Sequence, residues 1–190
     1  EIHERLVGSE MCIRDRHCIR ECFFCENNHQ LEGDVELDET FVGGKNHNRH
    51  ANKKVKKCQG RSFKDKTPVM GMLERGGNVV CRVVKNTSKK SLTAPILRTI
   101  KRSATLFTDE WRGYDTVGKI YTRYIVDHSH GQYVDGDATT NSIEGFWSIL
   151  KRGIIGIYHK TSRKHLHRYV NEFVFRCSMC ASLIINSIAL

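Results

Sequence analysis

The stretch "GDVELDETFVGGK", residues 33–45, decides how the rest of the chain is read. Five acids fall between Glu32 and Glu39 in a chain whose formal net charge is +10. Val35, Leu37 and Phe41 alternate with polar residues at the two-residue period of a strand, which predicts a strand over 33–43, ended by Gly43 and Gly44. Asp38 and Glu39 are then held on that strand. A strand that carries carboxylates to one end is a candidate metal site, although an isolated match of this kind is more often a solvated acidic edge. The surrounding sequence has to choose between the two.

Moving outward, "TPVMGMLERGGNVVCRVVK" is two apolar runs around Arg75-Gly76-Gly77-Asn78, a strong hairpin signal. Asn86 to Arg102 reads as a helix with Leu92, Ile96 and Ile100 four apart. "ATLFTDEW" is a short buried strand that reaches Asp109 at its C-terminal end, and "IYTRYIV" is another strand. "NSIEGFWSILKR" then places Ile143, Phe146, Trp147 and Leu150 on one helix face. A last helix over Ser162 to about Arg176 turns Leu166, Tyr169, Val170 and Phe173 inward, and residues 17–30 read weakly as helix. Strand, hairpin, helix, strand, strand, helix, helix is the order of an α/β fold of the RNase H-like kind, a mixed sheet flanked by helices. In that layout the first strand lies beside the strand that follows the first helix. Asp38 and Asp109 then meet despite lying 71 positions apart, and Glu144 comes down beside them from the next helix.

The composition narrows the class. A length of 190 residues suits one domain with a real core, or one domain with extensions, and 39% hydrophobic with 27% charged residues describes a soluble globular chain. No apolar run approaches the roughly 20 residues that span a bilayer. The opening residues lack a basic segment followed by an apolar one, which reads as no signal peptide and predicts a cytoplasmic protein whose eight cysteines are mostly reduced. The charge is uneven. Residues 45–66 carry nine Lys/Arg against one acid, Asp65, and residues 151–168 carry six against none. Such runs beside an acidic cluster fit a protein that holds a polyanion against a cation site. The phosphate-contact candidates are Lys45, Lys53, Lys54, Lys56, Lys57 and Arg61 in a long polar loop, with Lys151, Arg152, Arg163, Lys164 and Arg168 on a second face.

Asp38, Asp109 and Glu144 make a candidate three-carboxylate site. Hard divalent cations take oxygen ligands, and two Mg²⁺ ions roughly 4 Å apart can serve the attacking and leaving oxygens of a phosphoryl transfer. The spacing alone is weak, because 21 acids generate many triples. Asn141 and Glu144 also fit a capping box, with Asn141 as N-cap and Glu144 at the third helical position. Asp135 and Asp137 are rival third ligands, and His128 in "VDHSHGQYV" is a candidate leaving-group assistant or a structural histidine. Cys18, Cys22, Cys25 and His29 have spacings a zinc site could use, but the CxxC pair Cys177 and Cys180 lies far along the chain, which favours reduced, partly buried thiols. Trp111 and Trp147 are assigned to packing beside the site rather than base stacking.

Three words are more specific: "VELDETFVGGK", "LFTDEWRGY" and "DGDATTNSIEGFWSILKRGIIGIYHKTSRKHLHRYVNEF". They resemble bacterial insertion-sequence transposases of the DDE type, the ISXO-like group, from about Gly33 to Arg176. The resemblance implies a retroviral-integrase-like catalytic domain, two Mg²⁺ ions for which Mn²⁺ can substitute, and cutting and joining at transposon ends. It implies double-stranded DNA as partner, a homo-oligomer on that DNA, and no membrane. Asp38, Asp109 and Glu144 match the catalytic acids, and Asn141 matches an asparagine one helical turn before the last of them. The alternatives are a non-catalytic DNA-binding remnant and a metal-dependent nuclease of the same fold. On this reading 33–176 is the catalytic domain, 17–32 a helical remnant where the group usually has a zinc ribbon, and 177–190 an atypical apolar tail. Residues 1–16 are set apart, because "GSEMCIRDR" resembles a translated sequencing adapter.

Overall fold

The computed structural model describes residues 2–24, 28–44, 50–54, 62, 65–126, 140–159 and 161–188. A five-stranded sheet is its centre. The strands are β1 (Asp34–Val42), β2 (Thr67–Glu74), β3 (Val79–Val83), β4 (Thr105–Thr108) and β5 (Thr122–Ile125), in the spatial order β3-β2-β1-β4-β5. β2 is antiparallel to β1 and β3 antiparallel to β2, while β4 runs parallel to β1 and β5 parallel to β4. The helices are α1 (Ile2–Cys22), α2 (Lys89–Thr99), α3 (Asn141–Gly153) and α4 (Leu166–Ile188). This mixed sheet, with an antiparallel meander on one side of β1 and parallel strands on the other, is the RNase H-like α/β fold expected from the sequence.

The alternation in β1 sorts the molecule into two cores. Val35 and Leu37 face one layer with Met70, Met72, Leu92, Ile96 and Leu106, closed by α2. Val42, Val69, Leu73 and Val79 face a second layer with Ile143, Phe146, Trp147 and Leu150 of α3 and Leu166, Val170, Phe173 and Val174 of α4. All four residues assigned to the inner face of α3 are buried, as are Leu166, Val170 and Phe173, while Tyr169 is half-buried. The hairpin turns where expected. Gly76 takes φ 71°, a left-handed conformation that suits glycine, and the Gly77 amide donates to Glu74 O at 2.9 Å.

Several boundaries move. α2 is shorter than 86–102: Asn86 Oδ1 accepts from the Ser88 amide at 3.1 Å, forming a turn that delays the helix to Lys89. At the other end Ile100 is extended and bridges to Leu31, which stops the helix at Thr99. α4 begins four residues late because Ser162 is extended and Arg163–His165 forms a single 3₁₀ turn. It then runs through the apolar tail to Ile188, since no Gly or Pro interrupts Leu166–Ile188. α1 occupies Ile2–Cys22, so it starts before residue 17 and ends before residue 30. Its Arg20 pairs with the buried Glu172 of α4 at 2.8 Å, and the Tyr158 hydroxyl donates to the same carboxylate. No described helix is long and apolar enough to cross a membrane.

Candidate active site

The parallel pairing of β1 and β4 ends with Leu37 opposite Thr108. Asp38 and Asp109 are the next residues on the two chains, so they emerge side by side at the top of the sheet. β1 goes on past this point to Val42 while β4 stops at Thr108, and α3 packs against β1 and β2. The resulting pocket, about 570 Å³, is lined by Asp38, Asp109 and Glu144 together with Leu37, Glu39, Thr40, Phe41, Lys66, Thr140, Trp147, Ser148 and Lys151. The three acids predicted to converge therefore line one pocket, from three parts of the chain far apart in sequence.

Each of the first two acids is oriented by an indole or its backbone. Trp147 Nε1 donates to Asp38 Oδ2 at 2.9 Å, and the Trp111 amide donates to Asp109 Oδ1 at 3.0 Å. Trp147 can lie this close to β1 because its neighbour across the sheet is Gly71, the register partner of Asp38. A Cβ at Gly71 would stand 2.5 Å from Trp147 Cζ2 and 2.9 Å from Ile143 Cδ1. Arg123 braces the end of β4, donating through Nε to Thr108 Oγ1 at 2.8 Å and through Nη2 to Asp109 O at 3.0 Å. Burial pushes the Asp38 carboxyl up to about 6, the carboxylates of Asp109 and Glu144 push the same way, and the Glu39 amide and Trp147 indole pull against them.

The capping box is not formed. Thr140 is the N-cap and its side chain makes no cap hydrogen bond; Asn141 is the first helical residue, exposed, and outside the pocket wall. The amide at the third position, Ile143, is taken instead by Glu36 of β1 at 3.0 Å, and the Glu144 amide donates to Thr140 O at 3.2 Å. Local spacing cannot reveal a cap supplied by a strand more than 100 residues earlier. The parity of β1 does hold a signal for it, since Glu36 lies on the same face as Asp38.

The basic candidates divide. Lys151 and Arg152 are exposed on the last turn of α3, and Lys151 lines the pocket. Arg163 and Lys164 are exposed on their 3₁₀ turn, whereas Arg168 is paired with Glu21 of α1. Lys54 is exposed and Lys53 lies in a short 3₁₀ turn, Ala51–Lys53; Lys45, Lys56, Lys57 and Arg61 lie outside the described residues, as do Asp135, Asp137, His128 and Cys25. Lys66, at the end of the basic run but not singled out by sequence, reaches the pocket wall. Trp147 packs as expected; Trp111 is 42% exposed, its indole lying against Gly113 with Nε1 donating to Thr87 O at 3.0 Å.

The donor chemistry of the pocket fits a hard dication. Asp38, Asp109 and Glu144 offer it carboxylate oxygens, and Asp38 is raised first by burial and then by the neighbouring Asp109 and Glu144 carboxylates, whose repulsion a cation would relieve. Among the described residues no three His, Cys, Asp or Glu side chains close around a single point. Mg²⁺ does not require such a cage, because it is commonly held by one or two carboxylates with substrate phosphates and water.

The chain is also similar to known proteins. The family described as "ISXO2-like transposase domain" matches residues 30–178. An "uncharacterized protein in transposable element ISH50" of Halobacterium salinarum is 28% identical over 155 residues, covering 77% of this chain and 52% of that protein. The chain thus spans about half the length of that curated relative. Among solved structures, a simian T-cell lymphotropic virus intasome in complex with the PP2A regulatory subunit B56 gamma aligns with TM-score 0.39 and 10% identity, over 74% of this chain and 47% of that one.

Proposed function

Because the chain belongs to the ISXO2-like transposase domain family, we propose that it is the catalytic domain of a DNA transposase. It cuts phosphodiester bonds at the ends of its element and joins the freed 3′ hydroxyl to target DNA, as a homo-oligomer on the double-stranded DNA. The observation that carries this reading is that Asp38, Asp109 and Glu144 line one pocket.

These three carboxylates would hold Mg²⁺, which supplies activation of the attacking oxygen and stabilisation of the leaving oxygen in an in-line displacement. The protein's own part is orientation. Trp147 fixes one oxygen of Asp38 and the Trp111 amide one oxygen of Asp109, so neither side chain has to be ordered when DNA arrives. Lys151 brings a positive charge to the wall where a phosphate would lie.

Substituting Asp38→Asn or Asp109→Asn should reduce metal-dependent cleavage of end-bearing DNA to background while DNA affinity stays near wild type, since the affinity comes from basic residues. Full cleavage by either purified variant would overturn the assignment. Cut ends that never join to target would instead identify a nuclease. DNA binding by the wild type with no metal-dependent product would identify a non-catalytic DNA-binding domain.

A further inference from the structure

Glu36, two residues before Asp38, takes no part in the chemistry proposed above, yet both its oxygens are engaged. It is fully buried at 0% exposure. Oε2 accepts from the Ile143 amide at 3.0 Å and Oε1 accepts from Arg75 Nε at 3.1 Å. The Arg75 guanidinium lies 4.0 Å from the ring centroid of Phe107, which is the register partner of Glu36 on β4. This chain of contacts touches β4 two residues before Asp109, β1 two residues before Asp38, and α3 one residue before Glu144. Each element that bears one of the three acids is tied one or two residues short of it.

Burying a carboxylate is costly unless a cation and hydrogen bonds compensate, and a buried pair often stabilises less than apolar residues of the same volume. A helix start needs no such arrangement, because an N-cap side chain serves the same amide locally. Here the Thr140 side chain makes no cap bond, and the sheet supplies the acceptor. A local cap would fix only the helix, whereas a cap from β1 fixes where the helix begins relative to Asp38. We infer that Glu36 is a positioning residue that sets Glu144 against Asp38 across the pocket, acting through the Ile143 amide and gripped from behind by Arg75. This rests on the reading of the three acids as metal ligands.

The test measures Mn²⁺ affinity by electron paramagnetic resonance on the full chain without DNA, for wild type, Glu36→Gln, Glu144→Gln and the double variant. Glutamine keeps the volume but replaces one of the two acceptor oxygens with an NH₂ donor, so either the Ile143 amide or Arg75 Nε then faces a donor. Wild type should bind Mn²⁺ saturably and Glu144→Gln should weaken it. Glu36→Gln should weaken it about 10-fold, the lower end of what outer partners of metal ligands contribute. In the Glu144→Gln background the same change should add little, because the path runs through Glu144. Unchanged affinity in Glu36→Gln, or an equal loss in both backgrounds, would overturn the inference. Absence of Mn²⁺ binding by wild type, or indifference to Glu144→Gln, would overturn the ligand reading and the inference with it. Should Glu36→Gln not fold, Arg75→Lys keeps the charge but loses the planar group over Phe107. It should lower the affinity in the same direction by a smaller factor, and unchanged affinity there counts against Glu36 equally.

Discussion

Burial, with help from the Asp109 and Glu144 carboxylates, raises the Asp38 carboxyl from its ordinary 3.8 to about 6. Between those values the folded chain holds the proton more tightly than the unfolded chain does. The contribution of Asp38 to stability is therefore fully present below pH 4, is lost as pH rises towards 6, and is flat above. The loss is on the order of 2 to 3 kcal/mol. Asp38→Asn removes the ionisation and leaves an oxygen for the Trp147 indole. In urea titrations with EDTA present, the stability of Asp38→Asn relative to wild type should rise by about 2 kcal/mol between pH 4 and pH 7.5. Adding Mg²⁺ at pH 7.5 should narrow the gap by stabilising the wild type alone. A difference that ignores pH would show that Asp38 is as well solvated as a surface carboxylate. The residue proposed to carry the reaction is thus one whose charge the metal-free fold resists, which is common where a site is built to receive a cation.

At the scale of elements, α3 carries both the core and the site, and its seat on the sheet depends on Gly71. Gly71→Ala places a methyl within 2.5 Å of the Trp147 ring and 2.9 Å of Ile143, on backbone that any residue can adopt. Overpacking of this kind costs about 1–3 kcal/mol. Relief must lift the helix or turn the indole away from Asp38, so the variant should show a lowered Tm, altered tryptophan emission and a loss of cleavage larger than the loss of folded protein. Wild-type emission and activity would mean that the sheet gives way instead. Much of this element was legible beforehand, because Ile143, Phe146, Trp147 and Leu150 follow the helical period and nothing competes with it. The meeting of Asp38 and Asp109 was legible too, once the strand order was recognised. What escaped was tertiary: the cap on Ile143 comes from β1, and the stop of α2 comes from the Leu31–Ile100 bridge. Neither has a local sequence period.

At the scale of the molecule, the proposed function would have DNA draw on only those cations of the +10 charge that it can reach. Lys151 and Arg152 are exposed on α3 beside the pocket, whereas Arg168 spends its charge on Glu21. The two groups should separate in the salt dependence of DNA binding. Each phosphate contact contributes about 0.9 to the slope of log affinity against log salt concentration. Lys151→Ala with Arg152→Ala should then reduce the slope by up to about 1.8, and do so on any DNA sequence, since phosphate contacts carry no base information. Arg168→Ala should leave the slope near wild type and act instead on the seating of α1 against α4, read as faster hydrogen exchange in α1. A slope unchanged by the Lys151 and Arg152 pair would move the duplex off this face and onto the basic run at 45–66, where neutralising Lys53, Lys54, Lys56 and Lys57 is then the decisive comparison.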